Sequence, residues 1–392
     1  MNRTIQADKK SVRRLRKHSA RGGFTLIELL LSISIVSMLA AMITVGLSTL
    51  GRQAQIRRCE QQVKKIDELI QTRSNELINK PLPIQFPTLP QLGPNPTEPE
   101  KLLFKQLVKF RKRQIMICRR ELMRMELPDR ITDVMDNNYI FNDPTTGTQY
   151  AMMLPSSTYA FRRKANRNTT MGNTWSEEHQ GSECLYLILS IMQDQDSNAL
   201  DFLFPSEIGD TDEDGMPEIL DAFGTPLGFL RWAPGISGRP GSNDRNFSGI
   251  QTTDYKDAPD WTDIGGADPR YEDDATNENN NPFNLHPLIC SAGPDEEFGM
   301  FGLIRRIDPS ANGAATNTHL DAFNAQQNGG IDPAAQSGFH YRNTATNPFQ
   351  IIYDPFFLHT ATNPNGIKMQ FGTFVHSGML DNITNHDIEE AP

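Results

Sequence analysis

RGGFTLIELL, residues 21–30, is the stretch around which the rest of the sequence is organised. A short basic leader precedes it, and an apolar segment begins within it at Phe24 and continues to Leu50. This segment has 27 residues and one charged side chain, Glu28; as a helix it would extend about 40 Å, enough to cross a bilayer. A lone carboxylate near the start of such a segment is costly in lipid, so Glu28 is expected to have a function.

The stretch resembles the processing site of type IV prepilins and pseudopilins. A basic leader, the sequence GFTLIE at residues 23–28 and an apolar helix follow one another in the order that the family has. The resemblance implies that a leader peptidase cuts after Gly23, that the new N-terminal residue Phe24 is N-methylated, and that Glu28 is needed for filament assembly. The mature amino group and Glu28 are one helical turn apart, so a charge pair between neighbouring subunits could neutralise the buried carboxylate.

An ordinary signal anchor with an incidental glutamate is the alternative for this N-terminus, and it would have the same hydropathy. A simple tether has no use for Glu28, however, so this residue discriminates between a tether and an assembling subunit. A cleaved secretory signal is disfavoured, because the apolar run is too long and no small-residue cleavage site ends it.

The charge distribution predicts the location of the chain. The 392 residues have a formal net charge of −10, and the leader contains eight of the basic residues and one acidic residue. Without the leader the net charge is near −17, which disfavours nucleic-acid binding. A basic leader before an apolar segment predicts that the leader stays in the cytoplasm. We therefore expect a single span of the inner membrane, with the head in the periplasm or outside.

Helical periodicity continues beyond the membrane segment. Apolar residues recur every three or four positions through most of 52–79, which predicts an amphipathic helix continuous with the membrane segment. Pro81 and Pro83 are expected to end it.

A second helix is predicted over 100–127, after a Pro-rich linker. Thr97-x-x-Glu100 has the spacing of a capping box at its start. The helix is strongly basic, and we expect a solvated basic face. Contact with the acidic head of a neighbouring subunit is the alternative. Further on, the apolar block 182–189 fits either a buried helix or a strand.

DTDEDGMPEILD, residues 210–221, has the spacing of a calcium loop. Three carboxylates alternate before a glycine, and further acids follow at loop positions nine and twelve. Pro217 departs from the EF-hand pattern and no helical pattern leads in, so a stand-alone loop is expected, with an acidic solvated turn as the alternative. The predicted Ca²⁺ ligands are Asp210, Asp212, Asp214, Met216, Glu218 and Asp221.

Three later segments resemble the head of type II secretion major pseudopilins. Residues 221–235 look like the Asp-x-Trp-Gly-x-Pro motif that begins the family's β-sheet, with a strand over 227–232 and with Phe223 in the Trp position. Residues 288–299 are similar to the family's later strand and turn. The terminal Asp-Ile motif of the family is echoed at 381–385.

The family resemblance also implies a fold and a second set of ligands. The fold is α+β: a long N-terminal helix, half transmembrane and half amphipathic, packs on a small antiparallel β-sheet head with long loops. The polar stretches 235–286 and 308–347 are predicted to be such loops. Because the family has a calcium site near its C-terminus, Asp295 and Asp381 are additional ligand candidates.

The predicted organisation has five parts. They are a cleaved leader (1–23), the transmembrane half of the first helix (24–50), its amphipathic half (51–80), a Pro-rich linker with an extra basic helix (81–180), and a globular head with the calcium loop and β-sheet (181–392).

Cysteine spacing and motif content argue against a catalytic site. Four cysteines are far apart in sequence and form no CxxC pair, so core cysteines are favoured over disulfides and a zinc site is disfavoured. There is no HExxH, GxSxG, P-loop or GxGxxG motif. We therefore predict no catalytic residue and expect that the chain is not an enzyme.

The function implied by the resemblance is structural. A prepilin peptidase and N-methyltransferase would process the chain, which would assemble with other pilin-like subunits into a homo-oligomeric filament, a periplasmic pseudopilus for type II protein secretion. Two alternatives are a minor or surface type IV pilus subunit used for adhesion or DNA uptake, and a membrane-tethered calcium-binding protein or enzyme.

Overall fold

The computed structural model describes residues 25–176, 178–194, 197–233, 261–263, 266, 285–300, 359–362, 368–369 and 381–388. The helices in this part of the chain are α1 Leu26–Asn79, α2 Glu98–Glu126, α3 Ile131–Met135, α4 Ser156–Thr170, α5 Gln180–Leu189 and α6 Asn385–Ile388. Its strands are β1 Ile140–Asn142, β2 Gln149–Ala151, β3 Gln193–Asp194, β4 Ser197–Asn198, β5 Ile208–Gly209, β6 Glu218–Ile219, β7 Gly228–Leu230, β8 Leu288–Ser291, β9 His359–Thr362, β10 Lys368–Met369 and β11 Ile383–Thr384.

The chain divides into two compact units, Met1–Gln53 and Ala54–Pro392. In the first unit, every described side chain of α1 is exposed, including large apolar side chains from Leu26 to Leu50. Among the described helices, α1 is the one that is long and apolar enough to cross a membrane. An apolar surface of this size fits a membrane-anchored protein.

In the second unit, α1 is amphipathic, as its spacing predicts. Its apolar face includes Cys59, Val63, Ile66, Ile70 and Leu77, each no more than 1% exposed. Most of them join one hydrophobic core with α5, whose leucines are also buried. Burying each such aliphatic side chain contributes roughly 1.5–3 kcal/mol. The block 182–189, undecided between helix and strand, is therefore helix α5.

Helix α2 begins with the predicted capping box. The backbone N–H and the hydroxyl of Thr97 donate to Oε2 of Glu100 at 2.7 and 2.8 Å. The predicted start of this helix is thus confirmed to within two residues.

The predicted solvated basic face of α2 holds for its first turns and is wrong for its last two. Lys101 and Lys105 are exposed, whereas Arg120 and Arg124 are each 2% exposed. Arg124 donates to Oε2 of Glu121 at 2.9 Å and to the carbonyl of Asp133 at 3.1 Å. Helices α3 and α4 pack on this end of α2, so its arginines are enclosed and have internal partners.

Three antiparallel strands form the sheet of the head, in the order β11-β8-β7. Phe229 lies opposite Ile289, and Ile383 lies opposite Ser291. Of these, β7 and β8 are strands that the family resemblance implied, and β11 lies in the segment 381–385 that echoes the family's terminal motif. The remaining strands pair in twos, β1 with β2, β3 with β4, β5 with β6 and β9 with β10. The fold is thus α+β, with a long N-terminal helix and small antiparallel sheets. The predicted loops 235–286 and 308–347 fall almost entirely outside the described residues.

All four cysteines are buried, and none of them forms a disulfide. Burial raises the pKa of the Cys59 thiol to about 11, and it also raises the pKa of Cys118 and Cys184. Thiols with raised pKa values are poor nucleophiles. The cysteines therefore act as small core residues, as predicted.

Candidate functional site

The first candidate site is the start of α1. Gly23 and Phe24, the predicted processing residues, lie outside the described residues. Glu28 lies in the first turn, where its Oε2 accepts hydrogen bonds from the backbone N–H and the hydroxyl of Thr25, both at 2.8 Å. The backbone N–H of Glu28 donates in return to Oγ1 of Thr25 at 3.3 Å. This reciprocal arrangement is a capping box.

The cap adds a second role for Glu28 that was not predicted from the sequence. The signal was present, because Thr25 and Glu28 have the same spacing as Thr97 and Glu100. Both cap bonds use the same carboxylate oxygen, and the side chain is exposed. Glu28 can therefore cap its own helix and still face a cation on another molecule.

The second candidate site is the loop between β5 and β6. Gly209 lies opposite Glu218 in the antiparallel pair, so the loop leaves and returns at neighbouring positions. Its turn has a left-handed backbone at Glu213 (φ 59°) and Gly215 (φ 88°). A Cβ at Gly215 would lie 2.0 Å from Nδ2 of Asn173 and 2.3 Å from Oδ1 of Asn168. The left-handed backbone therefore favours glycine here, and a larger residue would also have to displace the ends of Asn173 and Asn168.

Five carboxylates converge at this loop. Oxygens of Asp210, Asp212 and Glu218 lie within 4.8 Å of one another, and so do oxygens of Glu183, Asp212 and Asp214. Because Asp212 belongs to both groups, we call the five residues together the acidic cluster. Within the described part of the chain, no lysine or arginine forms an ion pair with any of them.

Local hydrogen bonds hold the four loop carboxylates in place. Asp210 accepts hydrogen bonds from the N–H groups of Asp214 (3.1 Å) and Gly215 (3.0 Å), and Asp212 accepts from the N–H of Asp214 (3.3 Å) and the hydroxyl of Ser176. Asp214 accepts from the N–H groups of Met216 (2.7 Å) and Ser176. Glu218 accepts from the N–H (2.7 Å) and the hydroxyl (3.0 Å) of Thr211. These donors orient the carboxylates, but none of them carries a positive charge.

Glu183 differs from the other four because it comes from α5 and is fully buried. Its Oε2 accepts a hydrogen bond from Nε1–H of Trp175 at 2.5 Å. Its Oε1 is buried with no hydrogen-bond partner. Leaving a buried acceptor unsatisfied costs roughly 1–3 kcal/mol, and more for a charged group. An acceptor of this kind beside Asp212 and Asp214 needs either a proton shared with Asp214 or a bound cation.

Three carboxylates of the cluster have raised pKa values, as expected for carboxylates that are close together and poorly solvated. Burial, with Asp212 and Asp210 nearby, raises the pKa of Glu218 to about 7. Burial, with the charges of Asp214, Asp212 and Glu218, raises the pKa of Glu183 to about 10. Burial also raises the pKa of Asp214. A bound cation would reverse these shifts by favouring the ionised forms.

The donor set fits a hard divalent cation. All five side chains offer carboxylate oxygens, which are the ligands of hard divalent cations, Ca²⁺ and Mg²⁺ alike. The loop also has glycine at the position where a calcium loop turns sharply.

Four of the six predicted ligands lie in the two groups that share Asp212: Asp210, Asp212 and Glu218 form one group, and Asp212 and Asp214 belong to the other with Glu183. Met216 is at loop position seven, where a calcium loop contributes its backbone carbonyl; its side chain packs in the hydrophobic core, and its role as a ligand stays a prediction. Asp221 belongs to neither carboxylate group. Its oxygens accept from the hydroxyl of Ser291 at 2.6 Å and from the N–H groups of Phe223 and Thr225 at 2.8 and 3.0 Å. Glu183 was not predicted; its signal was a charge within an apolar block.

Asp295 and Asp381, the candidates implied by the family's C-terminal site, interact with each other. Burial and then the neighbouring Asp295 raise the pKa of Asp381. Gly293 allows this approach, because a Cβ there would lie 2.4 Å from the carbonyl oxygen of Asp381. Among the described residues, no third His, Cys, Asp or Glu completes a metal-binding group with this pair.

Comparison with known proteins finds one matching family model. The model of the prokaryotic N-terminal methylation motif matches residues 18–44. No curated protein matches the chain, and no solved structure matches it. The match covers the leader's end, Gly23, Phe24, Glu28 and the apolar part of α1 described above. At its N-terminus the chain thus has the prepilin motif of type IV pilins and pseudopilins.

Proposed function

We propose that the chain is a pilin-like structural subunit that assembles into a periplasmic pseudopilus for type II protein secretion. The observation that carries this proposal is Glu28, a lone carboxylate on an exposed apolar helix within the methylation motif. A prepilin peptidase and N-methyltransferase would expose and methylate the amino group of Phe24. Neighbouring subunits would then pack their apolar helices together, and Glu28 would pair with that amino group across the contact.

The turn before β7 supports a pseudopilus in particular. This turn contains the segment that resembles the major-pseudopilin motif, and two of its key positions, Asp221 and Gly224, have structural roles. Asp221 accepts hydrogen bonds from the backbone of Phe223 and Thr225 and joins the turn to Ser291 of β8. Gly224 has a φ of 90°, which only glycine adopts readily.

We further propose that the acidic cluster binds Ca²⁺ and stabilises the head. Clustered carboxylates without a basic partner repel one another, and a cation that binds only the folded form adds stability in proportion to RT ln(1 + [L]/Kd). Asp210, Asp212, Asp214 and Glu218 would hold the ion, which would supply the missing positive charge. The role proposed for the ion is structural, because it would join carboxylates of one loop and stabilise the folded head.

The first experiment measures the mass of the N-terminal peptide of the chain isolated from membranes, with and without the leader peptidase. We expect a peptide that begins at Phe24 and carries one additional methyl group, and an intact leader when the peptidase is absent. A cut at another position, or an intact leader in the presence of the peptidase, would contradict processing as a pilin.

Assembly is tested with Glu28→Ala. The variant should be processed and membrane-bound but should not enter filaments, as judged by crosslinking between neighbouring subunits. Normal crosslinking would favour a tethered protein. Long extracellular fibres containing the wild-type chain would favour a surface type IV pilus, because a pseudopilus stays in the periplasm.

A further inference from the structure

We propose that Glu183 of α5 is a ligand of the cation held by the β5–β6 loop. The core helix α5 would then complete the coordination of the cation in place of Asp221. This inference rests on the proposed calcium site. It identifies a ligand that lies outside the twelve-residue loop, 27 positions before Asp210 in the sequence.

The position of Glu183 carries the inference. A carboxylate oxygen of Glu183 lies within 4.8 Å of oxygens of Asp212 and Asp214. The residue is fully buried, one of its oxygens is held by Trp175, and the other has no partner. A cation at this position would satisfy the free oxygen and relieve the repulsion among the three carboxylates.

Helix α5 holds Glu183 rigidly. The hydroxyl of Ser182 donates to the carbonyl of Ile219 and accepts from its N–H, both at 3.0 Å, and so joins α5 to β6. On the other side, a Cβ at Gly181 would lie 2.9 Å from the carbonyl oxygen of Phe229 in β7. The helix therefore packs closely on both strands, and Glu183 is preorganised for binding.

Asp221 lies in the wrong place for the same role. Three hydrogen bonds already engage its carboxylate. The chain also stays extended after Glu218, with Leu220 bridging to Pro226. Side chains alternate along an extended segment, so residues three apart, such as Glu218 and Asp221, point to opposite sides.

A cation bound in this way would join three segments of the head. The loop would contribute Asp212 and Asp214, and α5 would contribute Glu183. The segment before α5 would be fixed through Trp175, which donates to Glu183, and through Ser176, which donates to Asp212 and Asp214.

The test uses the full-length chain in detergent, with Tb³⁺ as a luminescent probe and Ca²⁺ as the competitor. Trp175 donates directly to Glu183, so it should sensitise Tb³⁺ luminescence. Glu183→Gln should weaken Ca²⁺ binding roughly tenfold or more, because the charge of the ligands sets calcium affinity. Two controls remove the same charge: Glu213→Gln within the loop and Asp221→Asn at its end. Both should change the affinity by less than about twofold, since neither residue is in the cluster.

Melting temperatures separate ligation from a packing role. Glutamine has the shape of glutamate and can still accept from Trp175, so metal-free Glu183→Gln should be at least as stable as the wild type but should gain less from Ca²⁺. Lower stability without metal, with the full gain from Ca²⁺, would overturn the proposal. So would unchanged affinity in Glu183→Gln, or a large loss in Asp221→Asn alone. If the wild type binds neither ion, the calcium site itself is wrong, while the proposed pilin function, which depends on Phe24 and Glu28, is unaffected.

Discussion

Nη1 of Arg231 lies 2.6 Å from Oδ2 of Asp133, and both side chains are no more than 1% exposed. Arg231 directly follows β7 and Asp133 lies in α3, so this ion pair joins the sheet of the head to the helical region. The same Nη1 donates to the carbonyl of Leu127 at 3.0 Å, and the backbone N–H of Arg231 donates to Asp129 at 3.0 Å. The buried pair therefore has additional hydrogen bonds, which a pair shielded from water needs.

Arg231→Met is expected to destabilise the head strongly. Removing one partner leaves Asp129 and Asp133 buried with less compensation, and such losses cost about 3–5 kcal/mol in the free energy of unfolding. Urea unfolding of the full-length chain measures the loss. Lys101→Met is the matched control, because its pair with Glu98 is exposed and exposed pairs contribute no more than about 1 kcal/mol. Equal stabilities of the two variants would contradict a structural role for the buried pair.

Glu28→Gln separates helix capping from assembly. Glutamine keeps an acceptor for the N–H of Thr25 and thus keeps the capping box, but it removes the charge. We expect Glu28→Gln to be as defective in filament crosslinking as Glu28→Ala. Wild-type crosslinking of Glu28→Gln, with a defect in Glu28→Ala, would mean that the cap is the property that assembly needs. Membrane fractionation of both variants controls for insertion.

Gly215→Ala is expected to destabilise the head by more than the cost of the strained backbone alone. A left-handed conformation costs a non-glycine residue roughly 1–2 kcal/mol, and the new methyl group would also displace Asn168, which donates to the carbonyl of Asp214 at 2.9 Å. Gly147→Ala is the matched control, since its φ is 69° with no atom within 4 Å of the added Cβ. We expect thermal unfolding to show a larger loss for Gly215→Ala. Equal losses would show that packing against Asn168 is unimportant.

The metal-free protein should lose stability as pH rises from about 4.5 to about 7. The folded pKa of Glu218 is about 7, above its ordinary value of 4.5, so between these values the folded state retains a proton that the unfolded chain has released. The free energy of unfolding then falls with pH, by on the order of 3 kcal/mol for one such group. Glu183, with a pKa of about 10, extends the fall to higher pH.

Thermal melting at pH 5 and pH 8, in a calcium chelator and in Ca²⁺, measures this dependence. Calcium should raise stability at pH 8 and have little effect at pH 5, where protons compete for the same oxygens. Glu218→Gln should reduce the difference between the two pH values in the metal-free protein. Metal-free wild type that is more stable at pH 8 would contradict the contribution of Glu218.

Local rules predicted the elements that local chemistry determines. The end of α1 follows from Pro81 and Pro83, and the start of α2 follows from Thr97 and Glu100. The strands β7 and β8 were implied by the family resemblance, and for β7 the turn residues Gly224 and Pro226 added a local signal. Each of these signals acts within a few residues, so the sequence alone contains enough information.

The composition of the acidic cluster depended on tertiary packing. The spacing of Asp210, Asp212 and Asp214 is a local property and was predictable. A calcium loop of the EF-hand type continues into a helix, whereas here β6 begins at Glu218, and this directs Asp221 to the other side. Glu183 joins the cluster only because α5 packs beside β6. Arg120 and Arg124 are buried for a similar reason, because α3 and α4 cover that end of α2.

Residues at the end of the described part of the chain contact the amphipathic half of α1 in the head. Asn385 donates to Oδ1 of Asp67 in α1 at 2.7 Å and to the carbonyl of Pro287 at 2.9 Å, and it accepts the N–H of Ile289 at 2.8 Å. Asp67 and Asn385 are separated by 318 positions. Until the ribosome has synthesised Asn385, β8 lacks β11 as its outer neighbour and Asp67 lacks this partner. The head therefore cannot complete its folding before β11 has been made, and premature termination anywhere before β11 would leave it open.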